Sequence, residues 1–286
     1  VSEASATAYF FADYLQKVLD VPVGIIVSSW GGTAIQAWMS REVLAPFKAF
    51  DLRFLDDTTS IERPKYKPCM LYNAMIAPVE QYTIKGFLWY QGESNRKDPD
   101  LYRRLQPAFV KMLREAWGQG ELPFYYVQIA PFAYEGAELV GSALLREAQL
   151  LNLKEIPNSN MVVTMDIGDR NCIHPARKRK VGERLALLAL SGSYGLKGFV
   201  PDTPVYQSME VANGKAYLAF DCGSEGLAPL GATISGVEVA GSDHVFYPAT
   251  AQIEKYTGRL EVSCEKVPAP VAVRYCFRNY EQGTLY

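Results

Sequence analysis

Histidine is nearly absent from this 286-residue chain: there are two, His174 and His244. An acyl-transfer enzyme near neutral pH usually needs one imidazole as general base, so scarcity narrows the candidates. Cysteine is also sparse, with Cys69, Cys172, Cys222, Cys264 and Cys276. No CxxC or Cys/His spacing suggests zinc, and no metal or organic cofactor is expected. The odd count leaves at least one thiol unpaired in a monomer. Cys264 and Cys276 could face each other across a hairpin, a pairing the sequence leaves open. No apolar run is long enough to span a membrane. The net charge of -2 gives no field favouring nucleic acid or an anionic membrane. Gly-x-Gly-x-x-Gly and Walker sequences are missing, which argues against nucleotide binding. No signal-peptide pattern is visible; the chain opens on a helical pattern, which says little about export.

What is present is an ordinary globular composition, 49% hydrophobic and 21% charged. Eighteen tyrosines and four tryptophans suit a core and also a sugar-binding cleft, where rings stack on apolar sugar faces. The basic run Arg177-Lys178-Arg179-Lys180 reads as a solvated helix face; its sharper reading is attraction of an anionic substrate.

Strand and helix patterns alternate through the first two thirds of the chain. Residues 4–19 form an amphipathic helical pattern, and Val23–Val27 is a fully apolar run expected to be a buried parallel strand. Residues 46–71 look like a wrapped loop, and 72–81 are weakly helical. Further strands are expected at Ile84–Tyr90, Pro123–Ile129 and Met161–Met165. Helices are expected at Leu101–Trp117, Ala143–Leu151 and from Pro175 to Ser191, where the proline suits a first turn. This predicts a three-layer α/β domain over 1–200. Short strands between Gly, Asn and Pro turns predict a β-rich part over 201–286. They fall at Lys215–Phe220, Ile234–Ala240, Thr250–Ile253, Leu260–Val262 and Val271–Tyr275.

In parallel sheets, functional loops gather at the carboxyl ends of strands, where 28–33, 91–95 and 166–175 are expected. His174 stands in a polar turn before a helix, placed for general-base work or for capping. Asp166, Asp169 and Asn171 are sequence neighbours able to orient it. The loop Gln91-Gly92-Glu93-Ser94-Asn95 gathers amides, a carboxylate and a hydroxyl around a glycine, the donor chemistry an oxyanion needs. A hydrogen-bonded turn pinning a strand end is the plainer reading. Arg96 follows Asn95, so this is not a Gly-x-Ser-x-Gly nucleophile elbow. Gly31 and Gly32 would let backbone N–H groups approach a ligand, or simply make a turn.

Several segments together resemble one family. They are Val21–Ile26, Ser29-Trp30-Gly31-Gly32-Thr33, Ala37-Trp38, Leu71-Tyr72-Asn73-Ala74-Met75-Ile76-Ala77-Pro78, Lys85-Gly86, Trp89–Asn95, Ile173-His174-Pro175, Gly182–Leu185 and Val267–Tyr275. They look like the sialate O-acetylesterases, carbohydrate esterases of the SGNH hydrolase superfamily. The resemblance implies a flavodoxin-like α/β/α domain with a parallel sheet and attached β structure. It implies removal of acetyl groups from O-acetylated sialic acid or related glycans through a serine acyl-enzyme, without a cofactor. His174 would be the base, and its partner stays open between Asp169, a backbone carbonyl and a Ser–His dyad. Gly31, Gly32, Gln91, Gly92, Glu93 and Asn95 would hold oxyanion and substrate. The partner would be an O-acetylated sugar or glycan, with no nucleic acid and no membrane span. Family habit suggests a periplasmic or secreted setting.

Two departures stand out. The family's Gly-Gln-Ser-Asn block, which carries the nucleophile on a first strand, is not found in these residues, so an upstream segment or a second chain is expected to complete the sheet. Cys172 stands where many relatives have an acid before Ile-His-Pro. The alternatives are an acetylxylan or other glycan esterase, an inactive carbohydrate-binding relative, or an enzyme using Ser94, Ser28 or Ser29.

Overall fold

The computed structural model describes residues 4–57, 61–201 and 203–286. It divides into two compact units. The first takes in Val1–Ile129, Leu144–Val162 and Lys178–Leu196; the second takes in Ala130–Ala143, Val163–Arg177 and Lys197–Tyr286.

The first unit is α/β. Helix α1 (Ala6–Leu19) begins at Ser5, whose Oγ accepts the Ala8 N–H at 3.3 Å, and stops at left-handed Asp20. Short α2 spans Arg41–Leu44. Strand β1 (Phe87–Trp89) precedes α3 (Pro99–Trp117). The Asp98 carboxylate accepts the Leu101 N–H at 3.0 Å, Pro99 opens the first turn of α3, and left-handed Gly118 ends it. Strand β2 (Phe124–Val127), α4 (Gly141–Leu151), β3 (Ser159–Val162) and α5 (Lys178–Gly192) follow.

The three strands form a parallel sheet in the order β1-β2-β3. All four residues of β2 are buried, which requires cover on both faces of the sheet. Alternation supplies it. Tyr126 donates to the Gln149 carbonyl on α4 at 2.7 Å, and Phe124, on the same face, packs edge-on against Phe109 of α3. Tyr125 points the other way, its hydroxyl 3.0 Å from that of Ser193 just past α5. The outer helix α1 lies so close to α5 that a Cβ at Gly182 would stand 2.7 Å from the Thr7 carbonyl oxygen.

Some expectations are corrected here. Val23–Val27 belongs to no strand, and Ile25, Ile26 and Val27 are 43%, 46% and 47% exposed. Apolarity alone does not make a strand; a ladder partner is required, and none pairs with it among the described residues. The weak helix at 72–81 is a π-helical turn, Tyr72–Ile76, followed by a 3-10 turn, Ala77–Val79. The loop at 46–71 contains 3-10 turns at Arg53–Asp56 and Pro64–Tyr66; residues 58–60 lie outside the described residues. Helix α5 starts at Lys178 rather than at Pro175.

The second unit is mainly antiparallel. Its strands are β4 (Val205–Ala212), β5 (Lys215–Asp221), β6 (Val237–Ala240), β7 (Phe246–Pro248), β8 (Thr250–Ile253), β9 (Leu260–Ser263) and β10 (Ala272–Tyr275). They form a sheet β10-β6-β7 and a sheet β4-β5-β9-β8 around one apolar core that includes Leu218, Ile234, Val239, Leu260 and Val262. β4 and β7 were not expected. β4 is an edge strand with mostly exposed side chains, so it lacks an apolar face; the Asn213-Gly214 turn, with both φ positive, marks its hairpin to β5. The C-terminal segment runs beside two loops of the same unit. The N–H groups of Asn279 and Tyr280 donate to Leu139 and Ala137, Gly283 N–H donates to Met165, and Gln282 Nε2 donates to Gly168.

Candidate active site

In the first unit, two loops meet through side chains. Gln91 leaves β1 and is buried; its Nε2 donates to the Thr33 carbonyl at 3.0 Å and to Asn95 Oδ1 at 2.8 Å. Asn95 Oδ1 also accepts the Ile35 N–H at 3.0 Å, and Asn95 Nδ2 donates to Gln36 Oε1 at 3.1 Å. Thr33 donates to the Trp30 carbonyl at 2.8 Å and accepts from Trp38 Nε1 at 2.9 Å. These bonds tie the loop Gln91–Asn95 to the segment Thr33–Gln36 that follows Gly31 and Gly32.

Gly92 is fixed by sterics. A Cβ there would lie 2.7 Å from Ile129 Cγ2 and 3.1 Å from Leu145 Cδ2. Behind it, Gln149 Oε1 accepts the Ile129 N–H at 3.0 Å while Nε2 donates to the Gln91 carbonyl at 3.3 Å. The Tyr102 hydroxyl donates to the same carbonyl at 3.4 Å. Burial pushes this phenol far up, so it stays a neutral donor. Glu93, Ser94 and Asn95 then form a single 3-10 turn with the Ser94 side chain exposed.

The donor inventory follows. Both side-chain N–H groups of Gln91 are committed, while its buried Oε1 has no donor among the described residues. Asn95 keeps one amide hydrogen. The N–H groups of Gly31, Gly32 and Gly92 reach no acceptor among the described residues. Gly32 has φ +75°, so it turns its peptide where other residues would be strained. Uncommitted N–H groups on a braced loop are what a developing oxyanion requires.

His174 and Asp169 belong to the second unit. Asp169 Oδ1 accepts the N–H groups of Asn171 (2.7 Å) and Cys172 (3.0 Å), and Cys172 Sγ donates to the His174 carbonyl at 3.3 Å. The carboxylate thus shapes the turn that presents His174. The imidazole is exposed and takes no hydrogen bond within its unit among the described residues. His244 sits in the turn between β6 and β7, its N–H on the Gly241 carbonyl.

Other nucleophile candidates differ in freedom. Ser28 donates to the Met75 carbonyl at 2.8 Å, whereas Ser29 and Ser94 are exposed. None of the five cysteines forms a disulfide, and burial pushes the Cys69 thiol up to about 11, far from thiolate chemistry. In the basic run, Arg179 lies over the Phe10 ring and 3.6 Å from Glu183, a structural use of its charge. Among the described residues no group of three or more His, Cys, Asp or Glu side chains is placed to hold a metal ion, and no helix is long and apolar enough to cross a membrane. Sequence reasoning did not single out Gln36 or Gln149; an isolated glutamine in a helical pattern gives no signal of the carbonyl it will meet.

A parallel α/β layer carrying glycine-bearing loops braced by side-chain amides is a frame on which many chemistries are built, so the family has to be read from likeness to known proteins. The family model described as carbohydrate esterase, sialic acid-specific acetylesterase matches residues 2–191, and the chain belongs to that family. Sialate O-acetylesterase from Mus musculus is 30% identical over 264 residues, covering 76% of this chain and 48% of the mouse protein. The Homo sapiens sialate O-acetylesterase is 34% identical over 233 residues, covering 75% and 44%. The crystal structure of a carbohydrate acetylesterase from Xanthomonas citri matches with TM-score 0.85 and 39% identity, over 97% of this chain and 61% of that one. The chain therefore spans about half the length of the curated relatives it matches.

Proposed function

We propose that this chain serves in hydrolysis of acetyl esters on sugars, with O-acetylated sialic acid as the leading substrate and acetylxylan or another acetylated glycan as the near alternative. The observation that carries the reading is the braced pair of loops with uncommitted N–H groups at Gly31, Gly32 and Gly92. Those groups and the spare Asn95 amide hydrogen bind the carbonyl oxygen as it becomes an oxyanion. Gln91 braces the loops through its amide, which donates to the Thr33 carbonyl and to Asn95 Oδ1. Glu93 lines the same loop.

A serine hydroxyl attacks the acetyl carbon and gives its proton to His174. The tetrahedral intermediate collapses, and the departing sugar oxygen takes that proton. Water, deprotonated by His174, then attacks the acyl-serine; the bond to the serine oxygen breaks, that oxygen takes the proton back from His174, and acetate leaves. Asp169 supports the imidazole by shaping the turn that presents it, through the N–H groups of Asn171 and Cys172 on its Oδ1. The serine and the strand that carries it come from outside the described residues, or from a second chain. Support for that part is the exposed apolar run Val23–Val27 and the edge of β1 away from β2, which is unpaired among the described residues.

The test is acetate release from O-acetylated sialic acid by the chain alone and with the sheet-completing segment. His174→Ala is expected to lower turnover about 10²–10⁴-fold with the fold intact. Unchanged release in that variant sinks the proposal. Glycan binding with no release under either condition would instead favour a binding protein.

A further inference from the structure

One cluster in the first unit has no part in the chemistry above. Trp30 and Tyr66 are 52% and 49% exposed. Between them stands Lys65, its ammonium 5.7 Å from the Trp30 ring centre and 4.8 Å from that of Tyr66. Two exposed rings alone are ordinary surface. The cation changes the reading. Among the described residues Lys65 has no carboxylate partner, and neither have Arg63 and Lys67, which flank it in a stretch whose one acid is Glu62.

The mount is rigid. Pro64–Tyr66 is one 3-10 turn, closed by Tyr66 N–H to Arg63 O at 3.0 Å and Lys67 N–H to Pro64 O at 2.9 Å. Trp30 is the residue before Gly31, so the ring starts about 3.8 Å along the chain from a proposed oxyanion donor.

We propose that Trp30, Lys65 and Tyr66 form a subsite for the carboxylate of an acidic sugar. The inference rests on the esterase reading and names the residues that would select a sugar acid over a neutral acetylated xylan. The rings take the apolar faces of the sugar, and Lys65 makes a charge-assisted hydrogen bond to its carboxylate. The acetyl ester on the same sugar then reaches the Gly31/Gly32 loop.

Calorimetric titration of the 286-residue chain with sialic acid and with its carboxyl methyl ester tests this. Wild type is expected to bind the acid about tenfold more tightly than the methyl ester. Lys65→Met should erase that preference, and Lys65→Arg should keep it, with circular dichroism reporting the fold of each. Equal affinity for acid and ester in wild type, a preference surviving in Lys65→Met, or no binding of either sugar overturns the subsite. Acetate release from an acetylated xylo-oligosaccharide, measured alongside, reports on the esterase reading separately. Hydrolysis without a carboxylate preference removes the subsite alone. A Lys65-dependent preference without hydrolysis of any acetyl ester, even with the sheet-completing segment added, removes the esterase alone.

Discussion

At the residue scale, the position with least freedom is Gly92. Its missing Cβ is occupied by Ile129, Leu145 and the Gln149 amide. Gly92→Ala forces at least two buried side chains to move, and overpacking of this kind costs about 1–3 kcal/mol. A thermal melt is expected to show the loss, and activity should fall further than stability, because Gln149 also holds the Gln91 carbonyl. A melting temperature equal to wild type would show that the pocket around Gly92 relaxes freely. This residue was legible in sequence only as a glycine among polar neighbours. What the sequence withheld was the reason: the neighbours that crowd it come from Ile129 and Leu145, far along the chain. Thr33 and Asn95 belong to the motifs that carry the family resemblance, yet their linkage through Gln91 and to Ile35 is a tertiary fact.

At the element scale, local patterning performed unevenly, for a physical reason. The apolar run of β2 reads as a buried strand and is one, since sheet neighbours and helices cover it. Val23–Val27 carries the same pattern and is no strand, because periodicity reports what a segment can bury, not whether a partner is there. β6 and β10 were legible as strands, but the charge between them was not. Glu238 is 5% exposed and stands directly across from Arg274; its two oxygens take Arg274 Nε and Arg278 Nη2, each at 2.7 Å. Arg278 also pairs with Glu138, and burial raises the Glu281 carboxyl beside it. Removing the central anion leaves two guanidinium groups poorly compensated. Glu238→Ala is therefore expected to destabilise the second unit by about 3–5 kcal/mol. The segment after Arg278 holds the loop at 165–168 through Gly283 and Gln282, so hydrogen exchange should rise there as well. Unaltered exchange at 165–174 in a destabilised Glu238→Ala chain would separate the ion pair from the loop.

At the scale of the whole molecule, the decisive feature is apolar surface that nothing described covers. Ile25, Ile26 and Val27 are each more than two fifths exposed, Leu88 on β1 is 36% exposed, and β1 pairs on one edge only. Single exposed hydrophobics need no explanation, but a consecutive exposed run and an open strand edge each present a surface that another strand can cover. If a strand supplied from outside these residues or by a second chain is the natural cover, the chain alone should bind a hydrophobic dye and self-associate as its concentration rises. Adding the covering segment should suppress both and raise the melting temperature. A double substitution, Ile25→Glu with Val27→Glu, should reduce self-association without that segment, and should weaken its capture when it is present. Dye binding and association state unchanged across these conditions would mean the apolar run is covered by some other route, and the serine of the proposed mechanism would then have to be sought at Ser94 or Ser29. The same comparison, followed by acetate release, links completion of the sheet to completion of the site: covering the edge and gaining turnover should occur together.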